Sequence, residues 1–197
     1  MCIKSFEKME KRKKYSEDKI KEVLEKLQNT YKILEEKESN KKGMSKGFFF
    51  NTKRLIMFAN KMGEDLCTED NYSLGFEILY QTESICDLFI TVFANNLDTS
   101  KVRPVFESTD TETPHNQHSI MTHSSSNFNI TANPYTPVVR LLAITTYNIG
   151  LLHLHTDAFE KAYNFLFKSL KLQKKLGYSN IYISYTLLNL SIVFSSK

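Results

Sequence analysis

The positions of the prolines constrain the fold of this sequence more than any other feature. All four prolines lie between Pro104 and Pro137, and only six glycines occur among the 197 residues. Proline removes a backbone hydrogen-bond donor and clashes with the preceding helical turn, so it rarely occurs inside a helix. The long stretches on either side are therefore free of strong helix breakers, and with an ordinary apolar content of 41% they predict an all-α protein.

Hydrophobic spacing and composition divide the chain into five segments. The first is a basic arm (1–15) that we expect to be disordered, and the second is a charged helix (16–40) with the apolar spacing of a short coiled coil. A pair of antiparallel helices (48–97) and a flexible linker rich in Ser, Thr, Asn and Pro (98–137) follow. The last segment (138–197) is a group of three helices.

Small and large residues recur at fixed spacings in the third and fifth segments. Ala162 follows Gly150 after twelve residues, as Gly75 follows Gly63. Small residues at these positions let the two helices of a hairpin approach closely. Two further positions match between the segments. The bulky Leu79 of the third segment corresponds to Leu166 of the fifth, and the smaller Thr82 corresponds to Ser169.

This pattern resembles the tetratricopeptide repeat (TPR), a helix–turn–helix unit that stacks into a solenoid. The match covers 138–197, where Ile149 and Gly150 fill the apolar–glycine pair, and extends to a degenerate repeat at 53–90. The resemblance implies antiparallel helical hairpins stacked as a short solenoid, interrupted by the linker.

The resemblance extends to the last predicted helix, over 180–195. Residues 147–152 realign with residues 188–193, 41 residues later, a period similar to the long repeats of kinesin light chains. The chain departs from the family pattern at Thr146 and His153, where large aromatic residues are usual. The last helix is apolar nearly all round. It is either a cap on the preceding hairpin or the first helix of a longer array, and it suits self-association.

The resemblance also implies a binding surface, because the first helix of each TPR hairpin lines a concave groove. An Asn amide there can bond to the backbone of a bound peptide, or it can bond within the stack. The peptide-binding residues that we expect on the two C-terminal first helices are Ile144, Tyr147, Asn148, Leu151, His155, Tyr185, Leu188, Asn189 and Ile192. The first hairpin would add Met57, Asn60, Glu64 and Cys67.

The sequence thus predicts a protein–protein interaction scaffold that binds a peptide or helix of a partner in an apolar groove. The alternative is an RNA- or microtubule-associated helical protein that uses its basic arm, where residues 8–14 hold five basic residues. Nucleic acid is disfavoured because no broad basic patch with interleaved aromatic residues occurs. No enzyme motif, cofactor site or metal-ligand pattern is found, so we expect neither catalysis nor a small-molecule substrate.

The cysteines and the hydropathy profile bear on the compartment. Cys2, Cys67 and Cys86 are odd in number and form no C-x-x-C pair, which favours free thiols in a reducing compartment. Neither a signal peptide nor a run of 18 apolar residues is recognised, so we predict a cytoplasmic protein without a membrane span. The resemblance to kinesin light chain repeats adds a cytoskeletal or ciliary setting.

Overall fold

A computed structural model describes residues 14–40, 44–95 and 136–196, and over these residues every regular element is a helix. The predicted all-α fold is therefore confirmed for the described part of the chain. The six helices are α1 (Glu17–Asn40), α2 (Lys46–Thr68), α3 (Tyr72–Asn95), α4 (Thr136–His155), α5 (Phe159–Lys175) and α6 (Asn180–Ser195). Most of the predicted arm and nearly all of the predicted linker lie outside the described residues.

The helix predicted over 180–195 is observed as α6 (Asn180–Ser195). The linker is predicted over 98–137, but α4 already begins at Thr136. Pro137 lies in the first turn of α4, where the backbone N–H groups have no partner within the helix in any case. The predicted linker therefore extends two residues too far.

The three short turns between consecutive helices share one backbone pattern. Each contains one residue with a positive φ: Asp70 at 62°, Asp157 at 55° and Gly177 at 63°. The next residue donates its N–H back across the helix end, as in a Schellman motif. These bonds join Asn71 to Leu66, Ala158 to His153 and Tyr178 to Gln173, over 2.9, 2.9 and 3.0 Å. The chain thus reverses direction in the same way three times.

Within each of two hairpins, a glycine of the first helix meets a leucine of the second. A Cβ added to Gly63 in α2 would lie 2.6 Å from Cγ of Leu79 in α3. A Cβ added to Gly150 in α4 would lie 2.8 Å from Cγ of Leu166 in α5. The two glycines and the two leucines are each 87 residues apart, as are Asp70 and Asp157 in the turns. The hairpins α2–α3 and α4–α5 are therefore built alike.

The charged helix α1 is part of the same core. Three residues at its predicted coiled-coil spacing are buried in one cluster with residues of α2, α3 and α4: Ile20, Leu27 and Leu34. Helix α1 contacts α3 most extensively and also α2. The apolar side of α1 thus packs against the chain's own α2–α3 hairpin.

Helix α4 is the centre of the fold, since it contacts α2, α3, α5 and α6. Among the described helices it alone is long and apolar enough to cross a bilayer, and 56% of its most apolar window is buried. The hydroxyl groups of its buried Thr145 and Thr146 donate hydrogen bonds to backbone carbonyls one turn earlier in the helix. Burial on several sides is a sufficient reason for this apolar composition, and the absence of a membrane span stays a prediction.

Replacing Gly150 with Ala tests whether the glycine contact sets the helix spacing. The new methyl group would meet Leu166, including its backbone nitrogen at 3.0 Å, so α4 and α5 must move apart. We expect a loss of about 1–3 kcal/mol in the free energy of unfolding, the usual cost of overpacking, measured by chemical denaturation.

The matched control is Gly47→Ala in the first turn of α2, where an added Cβ has no neighbour within 4 Å. This variant should be neutral or gain up to about 1 kcal/mol, because Ala favours helix over Gly. Equal stabilities of the two variants would contradict the close-approach interpretation.

Candidate binding surface

Helices α2 and α4, which open the two hairpins, and helix α6 carry corresponding residues at the same sequence spacing. Helix α2 contacts α4, and α4 contacts α6. On each, four residues spaced by four, three and four positions lie on one helical face. We call this set the first-helix face. Its members are Lys53, Met57, Asn60 and Glu64 on α2, Arg140, Ile144, Tyr147 and Leu151 on α4, and Ile181, Tyr185, Leu188 and Ile192 on α6.

The first-helix face becomes steadily more apolar from α2 to α6. Its α2 members include Lys53 and Glu64, whereas all four α6 members are apolar or aromatic and exposed. Tyr185 and Leu188 leave 57% and 58% of their surface accessible. Isolated exposed apolar residues are ordinary on protein surfaces, but a contiguous stripe of them marks an interaction site.

The predicted peptide-binding residues divide into two groups by exposure. Ile144, His155, Tyr185, Leu188 and Ile192 are exposed, and Tyr147, Asn148, Leu151 and Asn189 are half-buried. All nine lie on α4 or α6, which contact each other. The structure therefore brings them to adjoining helices, with the most accessible side chains on α6.

One of the two asparagines bonds within the stack. The Asn189 amide nitrogen donates to the Tyr147 hydroxyl over 3.0 Å and so joins α6 to α4. Burial raises the pKa of Tyr147, so its phenol stays protonated at neutral pH. Of the two roles considered for Asn189, the structure therefore shows the bond within the stack.

The first hairpin contributes less than the sequence suggested. Asn60 is buried, and its amide donates to the carbonyl of Ile56 and to the hydroxyl of Thr145 over 3.2 and 2.9 Å. The prediction that Asn60 faces a bound peptide is thus wrong, because this amide joins α2 to α4. Of the four α2 positions on the first-helix face, only the other three are accessible. Met57 is 53% exposed, and Glu64 is exposed beside Lys61 at 3.1 Å.

The Cys67 thiol, predicted to lie on the binding surface, also forms a hydrogen bond within the protein. Cys67 is half-buried and donates to the carbonyl of Gly63 over 2.8 Å. Burial raises the pKa of Cys67 to about 11, so the group is a protonated thiol at neutral pH. Its sulfur would lie 2.7 Å from a Cβ on Gly75, so a larger residue at 75 would collide with it.

The described end of the basic arm is neutralised by the domain. Lys14 forms an ion pair of 2.7 Å with Asp65, and the Tyr15 hydroxyl donates to the same carboxylate over 2.8 Å. Burial of Tyr15 and its bond to Asp65 raise the Tyr15 pKa to about 12. The remainder of the arm lies outside the described residues, so its predicted role in binding acidic partners stays a prediction.

The described residues hold no group of three or more His, Cys, Asp or Glu side chains suited to a metal ion. His153 is buried and His155 is exposed, so the two point to different surroundings. The remaining histidines, His115, His118 and His123, lie in the undescribed stretch.

Sequence reasoning missed an aromatic junction between the two hairpins. His153 of α4 shares a hydrogen bond of 2.6 Å with the Tyr80 hydroxyl of α3. Its ring centroid lies 4.6 Å from that of Phe76 and 5.7 Å from that of Phe165 in α5. The ion pair between Lys168 and Glu83, at 2.8 Å, also joins α5 to α3. One sequence feature could have indicated this junction: His153 stands at a position where the repeat pattern usually has an aromatic residue.

Burial lowers the pKa of His153, and the positive charge of Lys161 adds to the effect. The neutral imidazole is therefore the form that the junction favours.

No family model, curated protein or solved structure matches the chain.

Replacing His153 with Phe should reduce the pH dependence of stability. Because the folded-state pKa of His153 lies below its ordinary value, the unfolded chain binds more protons as the pH falls below about 6.5, and the wild type loses stability. We expect the melting temperature, followed by circular dichroism, to fall more between pH 7 and pH 5.5 for the wild type than for His153→Phe.

His155→Phe is the matched control, because that residue is exposed on the same turn. It should keep the wild-type pH dependence. If His153→Phe and the wild type lose stability in parallel, His153 does not titrate differently in the folded state.

Proposed function

We propose that this protein is a TPR-like interaction scaffold, which holds an apolar helix or extended segment of a partner protein against the first-helix face. One observation carries the proposal. The same register positions recur on α2, α4 and α6, and on α6 all four of them are exposed and apolar.

The repeated construction of the hairpins supports the TPR-like part of the proposal. Both hairpins place a first-helix glycine against a second-helix leucine and close with the same turn. Helix α4 also contacts the second helix of the preceding hairpin, α3, and α6 contacts α5. This order of contacts supports stacking as a solenoid, in which the TPR resemblance implies that the first helices line the concave side.

The chemistry of the surface indicates the kind of segment that it would hold. Burial of one aliphatic or aromatic side chain contributes roughly 1.5–3 kcal/mol, so a few anchors at the α6 end suffice for binding. The α2 end, with Lys53 and Glu64, suits polar residues. The expected ligand is therefore a segment with apolar anchors at helical or extended spacing at one end and polar residues at the other.

A peptide selection tests the proposal without a known partner. A displayed library of random peptides is selected on the immobilised chain, and the affinity of the best peptide is measured by fluorescence anisotropy. We expect peptides with apolar anchors, and at least a tenfold loss of affinity for the double variant Leu151→Arg, Leu188→Arg, because each factor of ten corresponds to about 1.4 kcal/mol.

The control is Ile33→Arg, which also places Arg at an exposed aliphatic residue but on α1, away from the first-helix face. It should bind the peptide like the wild type. Apolar binding should also change little between about 50 and 200 mM salt, whereas capture of a polyanion by the basic arm would weaken steeply. Unchanged affinity of the double variant would contradict the proposed surface.

A further inference from the structure

A groove of about 620 Å³ runs between α3 and α5, the second helices of the two hairpins, and we call it the α3–α5 groove. It lies in the C-terminal parts of both helices, and α4 contributes to it near its N-terminal end. Its apolar lining comes from all three helices and consists of Ile90, Leu142, Phe167 and Leu172. No residue of the first-helix face lines it, so it is a separate candidate surface.

The α5 edge of this groove is basic. Helix α5 carries five lysines and one acidic residue, and Lys168, Lys171 and Lys175 line the groove from one side of the helix. Two carboxylates of α3 hold Lys168, at 2.8 and 3.4 Å. The Lys171 ammonium group lies 4.8 Å from the centre of the Phe167 ring and forms no ion pair within the described ranges. Lys171 therefore places a positive charge directly beside the apolar lining.

The stretch of chain between α3 and α4, which lies outside the described residues, has the complementary composition. From residue 104 to residue 139, the only Asp, Glu, Lys or Arg residues are Glu107, Asp110 and Glu112. Val105 and Phe106 come directly before them. Two apolar side chains followed by three negative charges match an apolar groove with a basic edge.

We propose that residues 105–112 bind in the α3–α5 groove of the same molecule, with Phe106 against the apolar lining and the acidic residues beside Lys171. The undescribed stretch begins and ends beside this groove. Helix α3 ends at Asn95, one turn beyond Thr91 of the lining, and α4 begins six residues before Leu142. The ten residues from Asn95 to Val105 span up to about 33 Å when extended, so the acidic residues reach the groove without a change in the helices.

Attachment to the same chain selects this segment over other acidic ligands. The groove holds three lysines and also Asp87, and exposed ion pairs are individually weak and screened by salt. Such contacts hold a free segment poorly. A segment tethered beside its site has an effective concentration of about millimolar order, at which weak contacts suffice. Pairing the grooves of two copies would instead bring like charges together.

The sequence contains no tryptophan, so a single introduced indole can report on the segment in the full chain. Phe106→Trp should show emission at shorter wavelength, and weaker quenching by acrylamide, than the same variant in denaturant. Adding Lys171→Glu should weaken docking roughly tenfold, because an exposed ion pair contributes up to about fivefold and its reversal adds repulsion. The emission and the quenching should then approach those of the denatured chain.

The matched control is Lys174→Glu, at an exposed residue of α5 that does not line the groove. It should leave the indole protected. Equal effects of the two lysine variants overturn the proposal, as does a Lys171→Glu variant in which protection is unchanged.

Two further outcomes of the same measurement identify a different occupant. An indole as exposed as in denaturant overturns the proposal and leaves the groove to an acidic segment of another protein. Protection that is lost on dilution from about 20 to about 0.5 µM overturns it in favour of a second copy, because binding within one molecule does not depend on concentration.

Carbodiimide cross-linking tests the charge contacts in the wild type. The reagent joins a lysine amine to a carboxylate in contact with it, with loss of water. Mass spectrometry of the monomer band should find amide links from Lys171 to Glu107, Asp110 or Glu112. Lys21, exposed on α1, is the control and should not form them. Equal linking of Lys171 and Lys21 to these acidic residues overturns the proposal.

The variants also separate this proposal from the proposed function. Lys171→Glu should bind the selected peptide on the first-helix face like the wild type. The Leu151→Arg, Leu188→Arg chain should lose that peptide and still protect the indole of Phe106→Trp. Loss of protection in this chain would contradict the independence of the two surfaces.

Discussion

The contact between a first-helix glycine and a second-helix leucine is the constraint on which the arrangement of this protein depends. At Gly63 and Gly150, the leucine side chain occupies the space that any larger residue would fill. Close approach there fixes the distance between the helices of a hairpin. The left-handed residue in each turn then fixes where the second helix starts. Because both devices occur twice at the same register, the two hairpins have matching surfaces and can pack one behind the other.

The sequence predicted the parts of this arrangement that depend on local spacing. The twelve-residue interval from Gly150 to Ala162 and the last helix over 180–195 follow from the chain alone, since each involves residues close together in the sequence. The roles of Asn60 and His153 did not, because each is decided by a side chain far away in the sequence. Asn60 is buried by Thr145 of α4, and His153 is positioned by Tyr80 of α3. Periodicity shows which side of a helix is apolar, but not which neighbour will cover a polar residue on that side.

The same limit applies to the candidate surface. Helical spacing placed Tyr147, Leu188 and Asn189 on adjoining first helices, yet it could not decide whether the Asn189 amide is available to a ligand. The hydrogen bond to Tyr147 removes one donor from the surface and strengthens the link between α4 and α6. Recognition at the proposed surface would then depend mainly on apolar contact at Tyr185 and Leu188, with little contribution from directed polar groups. Such a surface selects for the spacing and size of anchors more than for particular side-chain chemistry.

Helix α6 exposes more of its apolar surface than α4 does, because its buried side is narrower. Its buried residues, Thr186, Leu190 and Val193, occupy one side, whereas α4 is covered on several. The corresponding apolar positions of α4 are the exposed Ile144 and the half-buried Tyr147 and Leu151. A ligand that crosses both helices would therefore find its most accessible apolar anchors on α6.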